Sequence, residues 1–315
     1  MRHLLLLSWL CLTSTLLAQT QAQTQVQIID YNVENLFHPS VDSVNTDTTF
    51  TFQGERRWTF DRYREKLAHI GQVVANIGQW SVPTLIGLEE VESEQCLIDL
   101  CRWGALSNYR YQYLHHDSPD ERGIDCALLY QPKQFQLIDS AFIRVPIEGR
   151  PTRDIIYAAG RLRNGDTLHV FVCHFPSQRG GTALTNSRRE AARKTLQTAI
   201  DMIRTTQPQA LIVVMGDFNS APTEQFTSLH NMMMSMEAEG QGTYKWHGVW
   251  SCLDHFYLSD ALLPYAKADI YSTDWLLEDD TQYLGQKPFR MFQGYKYTAG
   301  YSDHLPIYLN LSLPK

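Results

Sequence analysis

The chain has 315 residues, of which 43% are hydrophobic and 11% aromatic, which is an ordinary globular composition, and it shows no internal repeat. Its formal net charge of −7 offers a polyanion such as DNA little long-range attraction, so binding of that kind would depend on local contacts and on metal. Length alone allows one large domain or two small ones.

The N-terminal segment is typical of a secretory signal peptide. A basic tip is followed by a mostly apolar run over residues 4–17 and by small residues around Ala18 and Ala22, the layout of a cleavable leader. A membrane anchor is the alternative, but the run is shorter than the ~20 residues that span a bilayer. Lipid anchoring at Cys11 stays open, although the small residues that precede a lipoprotein cysteine are missing. We therefore expect a signal peptide over residues 1–22 and an exported protein, periplasmic or secreted.

Downstream of this segment, hydrophobic periodicity predicts helices over residues 61–77, 93–103 and 187–205. Strands are predicted over residues 26–31, 84–88, 110–115, 124–130, 168–173, 211–215, 255–258 and 306–311. Because short strands alternate with helices and outnumber them, two packed sheets covered by helices are expected. In the third helix, Arg188, Arg189 and Arg193 are expected on the solvent face.

An odd number of cysteines remains once the leader is removed, namely Cys96, Cys101, Cys126, Cys173 and Cys252. An odd number without zinc-type spacing argues against a disulfide scaffold. Cys96 and Cys101 are close enough on one predicted helix to form a bridge. A chain of this length does not depend on disulfides, so we expect both to be core residues.

Polar residues recur where apolar, β-type runs end. The segments concerned are Asp-Tyr-Asn-Val-Glu-Asn at 30–35, Gly-Leu-Glu-Glu-Val at 87–91, Val-Phe-Val-Cys-His at 170–174, Gly-Asp-Phe-Asn at 216–219, Leu-Asp-His-Phe at 253–256 and Ser-Asp-His-Leu-Pro at 302–306. Taken singly, such a segment is more often a turn. Repeated delivery of Asn, Glu, His and Asp to strand ends instead indicates one catalytic site with metal and proton-transfer chemistry.

In this order the motifs resemble the endonuclease/exonuclease/phosphatase superfamily, which includes pancreatic deoxyribonuclease, apurinic endonucleases, neutral sphingomyelinases and inositol-polyphosphate phosphatases. The resemblance spans about residues 26–313, and its most specific parts are Gly-Asp-Phe-Asn and Ser-Asp-His-Leu-Pro. Residues 52–66 also resemble the secreted bacterial branch. The resemblance implies an α/β (α+β) protein, a four-layer α/β/β/α sandwich, with a single catalytic domain over residues 23–315.

A divalent metal site is implied by the same resemblance. Phosphodiester hydrolysis needs charge neutralisation, which a hard cation held by carboxylate and amide oxygens supplies. Glu90 is the expected principal ligand of Mg²⁺ or Mn²⁺, with Asn32 and Asp303 beside it. The family pattern Leu-Gln-Glu is Leu-Glu-Glu here, and only one of Glu89 and Glu90 can face the metal because adjacent strand residues point to opposite sides. A turn-forming role is the alternative for Asn32.

The implied proton-transfer residues lie in the last three motifs. Asp217 would orient or deprotonate the attacking water, and Asn219 would fix water or phosphate; an Asx turn is the alternative for this pair. His304 would accept a proton or stabilise the pentavalent phosphorus, with Asp254 orienting its imidazole. His255 is expected to be structural.

Two further residues are implied on the phosphate side. His174 would contact phosphate or protonate the leaving group, and Asp125 is a candidate to orient it; a buried structural histidine is the alternative. Arg153 would contact phosphate, while a surface ion pair with Asp154 is nearly as good an explanation.

Aromatic residues are dense between residues 275 and 301, directly before Asp303. They are Trp275, Tyr283, Phe289, Phe292, Tyr295, Tyr297 and Tyr301. A substrate rim that stacks bases or rests on lipid and simple packing of a long loop explain them equally well.

These roles favour an exported, metal-dependent phosphodiesterase, and the preferred interpretation is a nuclease, specifically an endonuclease acting on nucleic acid. A phospholipid or sphingomyelin phosphodiesterase, or a phosphatase of small phosphorylated metabolites, is the alternative, since kinship of fold does not separate them. A non-catalytic binding protein is disfavoured because each expected active-site residue type is present. No stable protein partner is implied, and a monomer is expected.

Overall fold

The computed structural model describes residues 23–40, 48–147, 149–178, 181–222 and 226–315, and the expected signal peptide lies outside these residues. The helices are α1 Phe60–Gly78, α2 Glu94–Arg102, α3 Thr182–Thr206 and α4 Met234–Ala238. The strands are β1 Gln23–Leu36, β2 Leu85–Val91, β3 Gln112–His115, β4 Asp125–Tyr130, β5 Phe135–Ile143, β6 Ile155–Leu162, β7 Thr167–His174, β8 Leu211–Asp217, β9 Leu229–Asn231, β10 Tyr244–Trp246, β11 Val249–Ser251, β12 Asp254–Ser259, β13 Ala266–Ile270, β14 Leu277–Asp279, β15 Gln286–Pro288, β16 Phe292–Gln293, β17 Lys296–Tyr297 and β18 Ile307–Pro314.

Two six-stranded sheets form the body of the described chain. Their strand orders are β13-β18-β1-β2-β4-β3 and β5-β6-β7-β8-β12-β9. Each sheet contains a parallel pair at its centre, β1 with β2 and β7 with β8, while the other neighbours run antiparallel. The carboxyl ends of parallel neighbours lie at one edge of a sheet, so the polar residues that end β2, β7 and β8 are carried to sheet edges.

The layers follow from which side of each strand is apolar. Ile28 and Leu128 of the first sheet pack with Val170 and Met215 of the second in a shared core. α1 and α2 pack on the outer face of the first sheet, and α3 packs on the outer face of the second. The expected four-layer α/β/β/α sandwich is therefore confirmed.

Helix α1 shows how the outer layers form. Thr59 caps its N-terminus by accepting a hydrogen bond from the Arg62 amide at 3.3 Å. Tyr63, Leu67 and Ile70 recur at helical spacing and are buried against the first sheet. Each such side chain stabilises the fold by about 1.5–3 kcal/mol.

Helix α3 corrects one expectation. Leu196 and Ile200 are buried as predicted, but Arg189 is only 3% exposed rather than facing solvent. Its guanidinium donates to the Pro176 carbonyl at 3.3 Å and to Asn186. Helical periodicity does not reveal that an arginine on the edge of a helix can reach a carbonyl of a neighbouring loop.

Strands β5, β6 and β13 were not predicted. β5 is an edge strand with mostly exposed residues, so it lacks a hydrophobic signal. β6 contains Ala158, Ala159 and Gly160, which are weak strand formers. Gly160 is required there because a Cβ atom would collide with the Phe135 ring.

The cysteines behave as expected. Cys96, Cys126, Cys173 and Cys252 are free and buried, and Cys101 is free and half-buried. Within the described ranges, no helix has both the length and the apolar character needed to cross a membrane.

Candidate active site

Three adjacent strands of the second sheet bring three catalytic candidates together. His174 ends β7 and pairs in register with Asp217, which ends the parallel strand β8. Asp254 opens the antiparallel strand β12 directly opposite Asp217. Gly216 makes this approach feasible, because at its φ of +142° a Cβ atom would lie on the Cys173 carbonyl.

Asp217 is the centre of the site, and its two carboxylate oxygens have separate partners. Oδ1 accepts the Asn219 amide at 2.8 Å, which is an Asx turn. Oδ2 accepts from the Asn32 side-chain amide at 3.2 Å and lies 3.6 Å from His174 Nε2 and 3.9 Å from His304 Nε2. The Asx turn, offered as an alternative to catalysis, is therefore present, and it fixes the carboxylate in place without excluding a catalytic role.

His304 is held by the carboxylate assigned to it. Its Nδ1 lies 2.8 Å from Asp254 Oδ2, which leaves Nε2 facing Asp217. Ser302 secures the segment by accepting the His304 amide at 3.1 Å and donating to the Asn32 carbonyl at 2.6 Å. His255 stacks on Phe218 inside the fold, the structural role expected for it.

Burial and neighbouring charges shift the pKa values of the two histidines in opposite directions. Burial lowers the pKa of His174 well below its usual value, and Arg153 and Arg122 lower it further. Burial also opposes protonation of His304, but Asp254 and Asp217 outweigh it and raise the His304 pKa well above its usual value. These shifts favour the imidazolium form of His304 and the neutral form of His174.

The Asp217 carboxyl is tuned to accept a proton near neutral pH. Burial raises its pKa to about 7, with His304 opposing the rise and Asp254 adding to it. A general base works best when its pKa lies close to the working pH. A pKa in this range is compatible with the predicted role of Asp217 in preparing the attacking water, which stays a prediction.

A paired irregularity in β1 and β2 separates Glu89 from Glu90. The β1–β2 register breaks after Asn32 and the β2–β4 register breaks after Glu89, while Glu90 has a φ of +66°. Glu90 is thereby turned out of the regular pleat, and its Oε2 accepts the Asn35 amide at 2.9 Å. Such bulges and strained residues concentrate at functional sites, where they re-aim a side chain.

Glu89 points the other way, into the layer between the sheets, where it is fully buried. Its carboxylate oxygens lie within 4.8 Å of those of Asp30 and Asp254. No N–H or O–H donor among the described residues reaches the carboxyl oxygens of Asp30 or Glu89. Burial raises the pKa of both groups well above their usual values, so we interpret them as hydrogen-bonded through a shared proton.

Asp303 faces a group of residues that the motifs did not reveal. Arg290 donates to Asp303 Oδ2 at 2.8 Å and lies 3.5 Å from Glu34 Oε1. Burial alone would raise the pKa of Asp303, but Arg290, His304 and Lys66 lower it below its usual value. Asp303 is therefore held as a carboxylate, the form in which it can bind a cation.

Lys66 is a buried cation beneath these carboxylates. It is only 1% exposed, and its ammonium donates to the Tyr301 carbonyl. Burial lowers its pKa to about 8, against the attraction of Glu34, Asp303 and Glu90. Its place in the amphipathic pattern of α1 looks like any other position on the helix, which is why sequence reasoning missed it.

The donor set fits a hard divalent cation. Glu90 and Asp303 offer carboxylate oxygens and both act electrostatically on Lys66, while the Asn32 amide oxygen accepts the Glu34 backbone N–H at 3.0 Å and keeps a second lone pair. Oxygen donors of this kind suit Mg²⁺ or Mn²⁺ better than softer metals. The three residues remain the predicted ligands.

Arg153 forms a buried ion pair, and its contact with phosphate stays a prediction. Its guanidinium donates to Asp120 at 3.0 Å and to the Phe175 carbonyl at 3.0 Å, and the side chain is 7% exposed. The alternative, a surface ion pair with Asp154, is wrong, because Asp154 pairs with Arg144 at 2.8 Å. A sequence does not distinguish a buried structural arginine from one that faces substrate.

Asp125 does not orient His174. It accepts from Ser118 and lies 3.9 Å from His115 Nε2, while His174 Nδ1 meets no hydrogen-bond partner in the described part of the chain.

The aromatic residues of 275–301 divide between packing and exposure. Phe292 is buried, and Trp275, Tyr297 and Tyr301 pack against the same core. Tyr283 and Tyr295 are exposed. Loop packing and a solvent-facing rim are thus both present, at different residues.

With the site assembled, comparison with known proteins becomes informative. Residues 27–313 match the model of the endonuclease/exonuclease/phosphatase family. The chain belongs to this family. Members of the superfamily are metal-dependent phosphoester hydrolases, so this protein is one. A search of curated proteins gave no match.

Solved structures with the same fold include three informative examples. Truncated TDP2 from Caenorhabditis elegans is 16% identical with a TM-score of 0.59, over 91% of this chain and 97% of that one. The human Nocturnin catalytic domain is 17% identical with a TM-score of 0.57, over 93% and 96%. An endonuclease/exonuclease/phosphatase family protein from Bacteroides thetaiotaomicron is 16% identical with a TM-score of 0.55, over 92% and 98%.

Proposed function

We propose that this phosphoester hydrolase is an exported nuclease that cleaves phosphodiester bonds of nucleic acid, using Mg²⁺ or Mn²⁺. The chemical part rests on the convergence of Asn32, His174 and His304 on one oxygen of Asp217. The nucleic-acid part rests on exposed rings next to that site. A TDP2 from D. rerio, which has the same fold, has been solved with a single-strand DNA product.

The rings belong to the β10–β11 hairpin and a turn packed against it. Tyr244, the first residue of β10, places its ring 5.0 Å from the His304 ring. Trp246 lies on the same face of the strand, about 7 Å further on. The Trp246 and His247 rings are stacked at 4.7 Å, and the His247 and Tyr283 rings at 5.3 Å. Trp246, His247 and Tyr283 are thus exposed, stacked rings that follow the half-buried Tyr244, and such rings suit the bases of a single strand.

The residues of this chain divide the reaction among them. Asp217 accepts a proton from the attacking water while its Asx turn holds the carboxylate still. His304, kept positive by Asp254, stabilises the charge that develops on the phosphoryl oxygens. His174, a neutral donor, hydrogen-bonds the phosphate. A divalent cation held by Glu90 and its neighbours would supply Lewis-acid stabilisation of the same phosphate.

A lipid phosphodiesterase is the second candidate. Val249 and Leu284, beside the stacked rings, are 65% and 80% exposed, and aliphatic side chains of this kind suit a lipid surface. Offering purified mature protein plasmid DNA, single-stranded DNA, RNA, sphingomyelin vesicles and inositol phosphates, with Mg²⁺ or EDTA, separates the candidates. Nucleic acid should be cleaved best, and cleavage of sphingomyelin alone would refute the nuclease proposal.

A ring-deletion pair sharpens this test. Trp246→Ala should weaken cleavage of single-stranded DNA by roughly 10-fold, because one stacked base contributes about 1–3 kcal/mol. Hydrolysis of bis(4-nitrophenyl) phosphate, which has no neighbouring bases, should change little. Trp80→Ala is the matched control, since Trp80 is fully exposed and precedes β2, at the end of that strand remote from Glu90. Equal losses on both substrates would contradict base stacking.

Export is proposed from the N-terminal sequence and from the resemblance of residues 52–66 to the secreted bacterial branch. The segment up to Ala22 should be absent from protein recovered outside the cytoplasm. Mass spectrometry that finds an intact Met1 on exported protein would contradict a cleavable signal.

A further inference from the structure

The side chain of Arg122 lies at the mouth of the site between groups from both sheets. One guanidinium nitrogen donates to Asn35 Oδ1 at 2.7 Å, and another lies 3.5 Å from Glu90 Oε1. On the other side, Arg122 is near enough to His174 to contribute to the lowered pKa of that histidine. Arg122 therefore stands between the principal metal-ligand candidate and a catalytic histidine.

The backbone of Arg122 is fixed, but its charged head is held loosely. Asp120 accepts the Arg122 amide through its side chain and the Gly123 amide through its carbonyl, each at 3.0 Å. Gly123 has a φ of +62°, which completes the turn. The guanidinium itself has one neutral amide partner and one distant carboxylate, and the side chain is 36% exposed.

The other arginines of the site are more firmly engaged. Arg153 donates to Asp120 and to a buried carbonyl and is 7% exposed, so reaching a substrate would break a buried ion pair. Arg290 contacts two carboxylates, the nearer at 2.8 Å. Of these three arginines, all among the described residues, Arg122 could take a phosphate oxygen at the smallest cost.

Asn35 links Arg122 to the metal site. Its backbone N–H donates to Glu90 Oε2 at 2.9 Å, while its side-chain oxygen accepts from Arg122. Asn35, which has a φ of +58°, thus fixes the distance between Glu90 and Arg122. The amide oxygen of Asn35 accepts a hydrogen bond that Arg122 could instead donate to a phosphate oxygen. The bond to phosphate would be the stronger one, because Arg–phosphate contacts are charge-assisted and bidentate.

We propose that Arg122, rather than Arg153, is the substrate-contacting arginine, and that it exchanges the Asn35 amide for a non-bridging oxygen of the substrate phosphate. The inference rests on phosphoester hydrolysis and is independent of whether the natural substrate is nucleic acid. It assigns the phosphate-binding role to a residue outside the strand-end motifs.

The test compares Arg122→Gln and Arg122→Lys with Arg150→Gln, on bis(4-nitrophenyl) phosphate with inorganic phosphate as competitor. Arg150 is a suitable control because it is 64% exposed and paired with Glu121. Arg122→Gln should lower kcat/KM by ~10–100-fold and raise the phosphate inhibition constant by a similar factor, the scale of a hydrogen bond to a charged group. Arg122→Lys should fall between, and Arg150→Gln should stay within about 2-fold of wild type.

The Mg²⁺ concentration for half-maximal activity separates contact from positioning. It should shift little in Arg122→Gln if Arg122 binds phosphate. An increased Mg²⁺ requirement with unchanged phosphate inhibition would mean that Arg122 only holds Glu90, and would overturn the proposal. So would a folded Arg153→Gln variant that loses phosphate inhibition while Arg122→Gln keeps it. If Arg122→Gln fails to fold, the intermediate constants expected for Arg122→Lys still decide. Absence of nucleic-acid cleavage by wild type would defeat the nuclease proposal without touching these outcomes.

Discussion

Replacing Glu89 by glutamine should stabilise the metal-free protein, although the change lies next to the principal metal-ligand candidate. Three carboxyl groups, those of Asp30, Glu89 and Asp254, have oxygens within 4.8 Å of one another in the layer between the sheets. Glu89 is fully buried and neither of its oxygens meets a donor among the described residues. Glutamine keeps the shape, stays uncharged at every pH and offers an N–H donor to its neighbours.

The magnitude follows from the spacing and depends on pH. Two unit charges about 5 Å apart repel by roughly 3 kcal/mol at an effective dielectric constant of ~20. Burial raises the pKa of Glu89 and of Asp30 above their usual values. The contribution of such a group to the free energy of unfolding is fully present below its unfolded-state pKa and is lost as pH rises through its folded-state pKa. Glu89→Gln should therefore change little at pH 5 and stabilise by about 1–3 kcal/mol between pH 7 and pH 9.

Thermal and urea unfolding in EDTA at pH 5, 7 and 9 would measure this effect. The gain at high pH corresponds to a rise in Tm of about 2–6 °C for a domain of this size. Glu239→Gln, a substitution at an exposed position, should stay within about 0.5 kcal/mol of wild type at each pH. A loss of stability in Glu89→Gln, or a gain equal at pH 5 and pH 9, would refute the reasoning.

The remaining predictions concern the site itself. Activity should require Mg²⁺ or Mn²⁺ and vanish in EDTA. Glu90→Gln should cause a severe loss of activity and Glu89→Gln a mild one. Full activity after exhaustive chelation, or the reverse order of the two variants, would contradict the ligand assignment. Asp217→Ala and His304→Ala should each cost at least ~10²-fold in rate. Asp254→Ala should cost less, and combined with His304→Ala it should add little, because the two residues act as a unit; independent multiplication of the losses would argue against that pair. Metal binding near pH 7 should release protons, because a nearby cation lowers the Asp217 pKa from about 7. Calorimetry in buffers of different ionisation enthalpy measures this release. Uptake of protons on metal binding would contradict the prediction.

The sequence predicted those site residues that end regular strands. His174, Asp217 and Asp254 each follow or open an apolar run, and their strands are neighbours in one sheet. Strand ends are the places where a fold can present polar groups without breaking its ladder of hydrogen bonds. That is why a local pattern was sufficient for these residues.

Other parts of the site depend on contacts between distant segments. Lys66 comes from the middle of a helix, Arg290 from a long loop, and Arg122 from a turn. Nothing in their local sequence distinguishes them from solvated charges. The sequence likewise did not reveal that Arg153 pairs with Asp120 rather than with its neighbour Asp154. Charged side chains are long, so their partners are set by tertiary packing rather than by spacing.

The one-residue step from Glu89 to Glu90 shows how the fold handles excess negative charge in two ways. Among the described residues around the site, carboxyl groups outnumber cationic side chains. Glu89 is fully buried between the sheets, with Asp30 and Asp254 oxygens within 4.8 Å, and burial raises the pKa of Glu89 and of Asp30. Glu90, turned out of the pleat by the bulge, is 13% exposed. The irregular register at the end of β2 thus decides which of two adjacent acids faces the buried acidic group and which one faces outward.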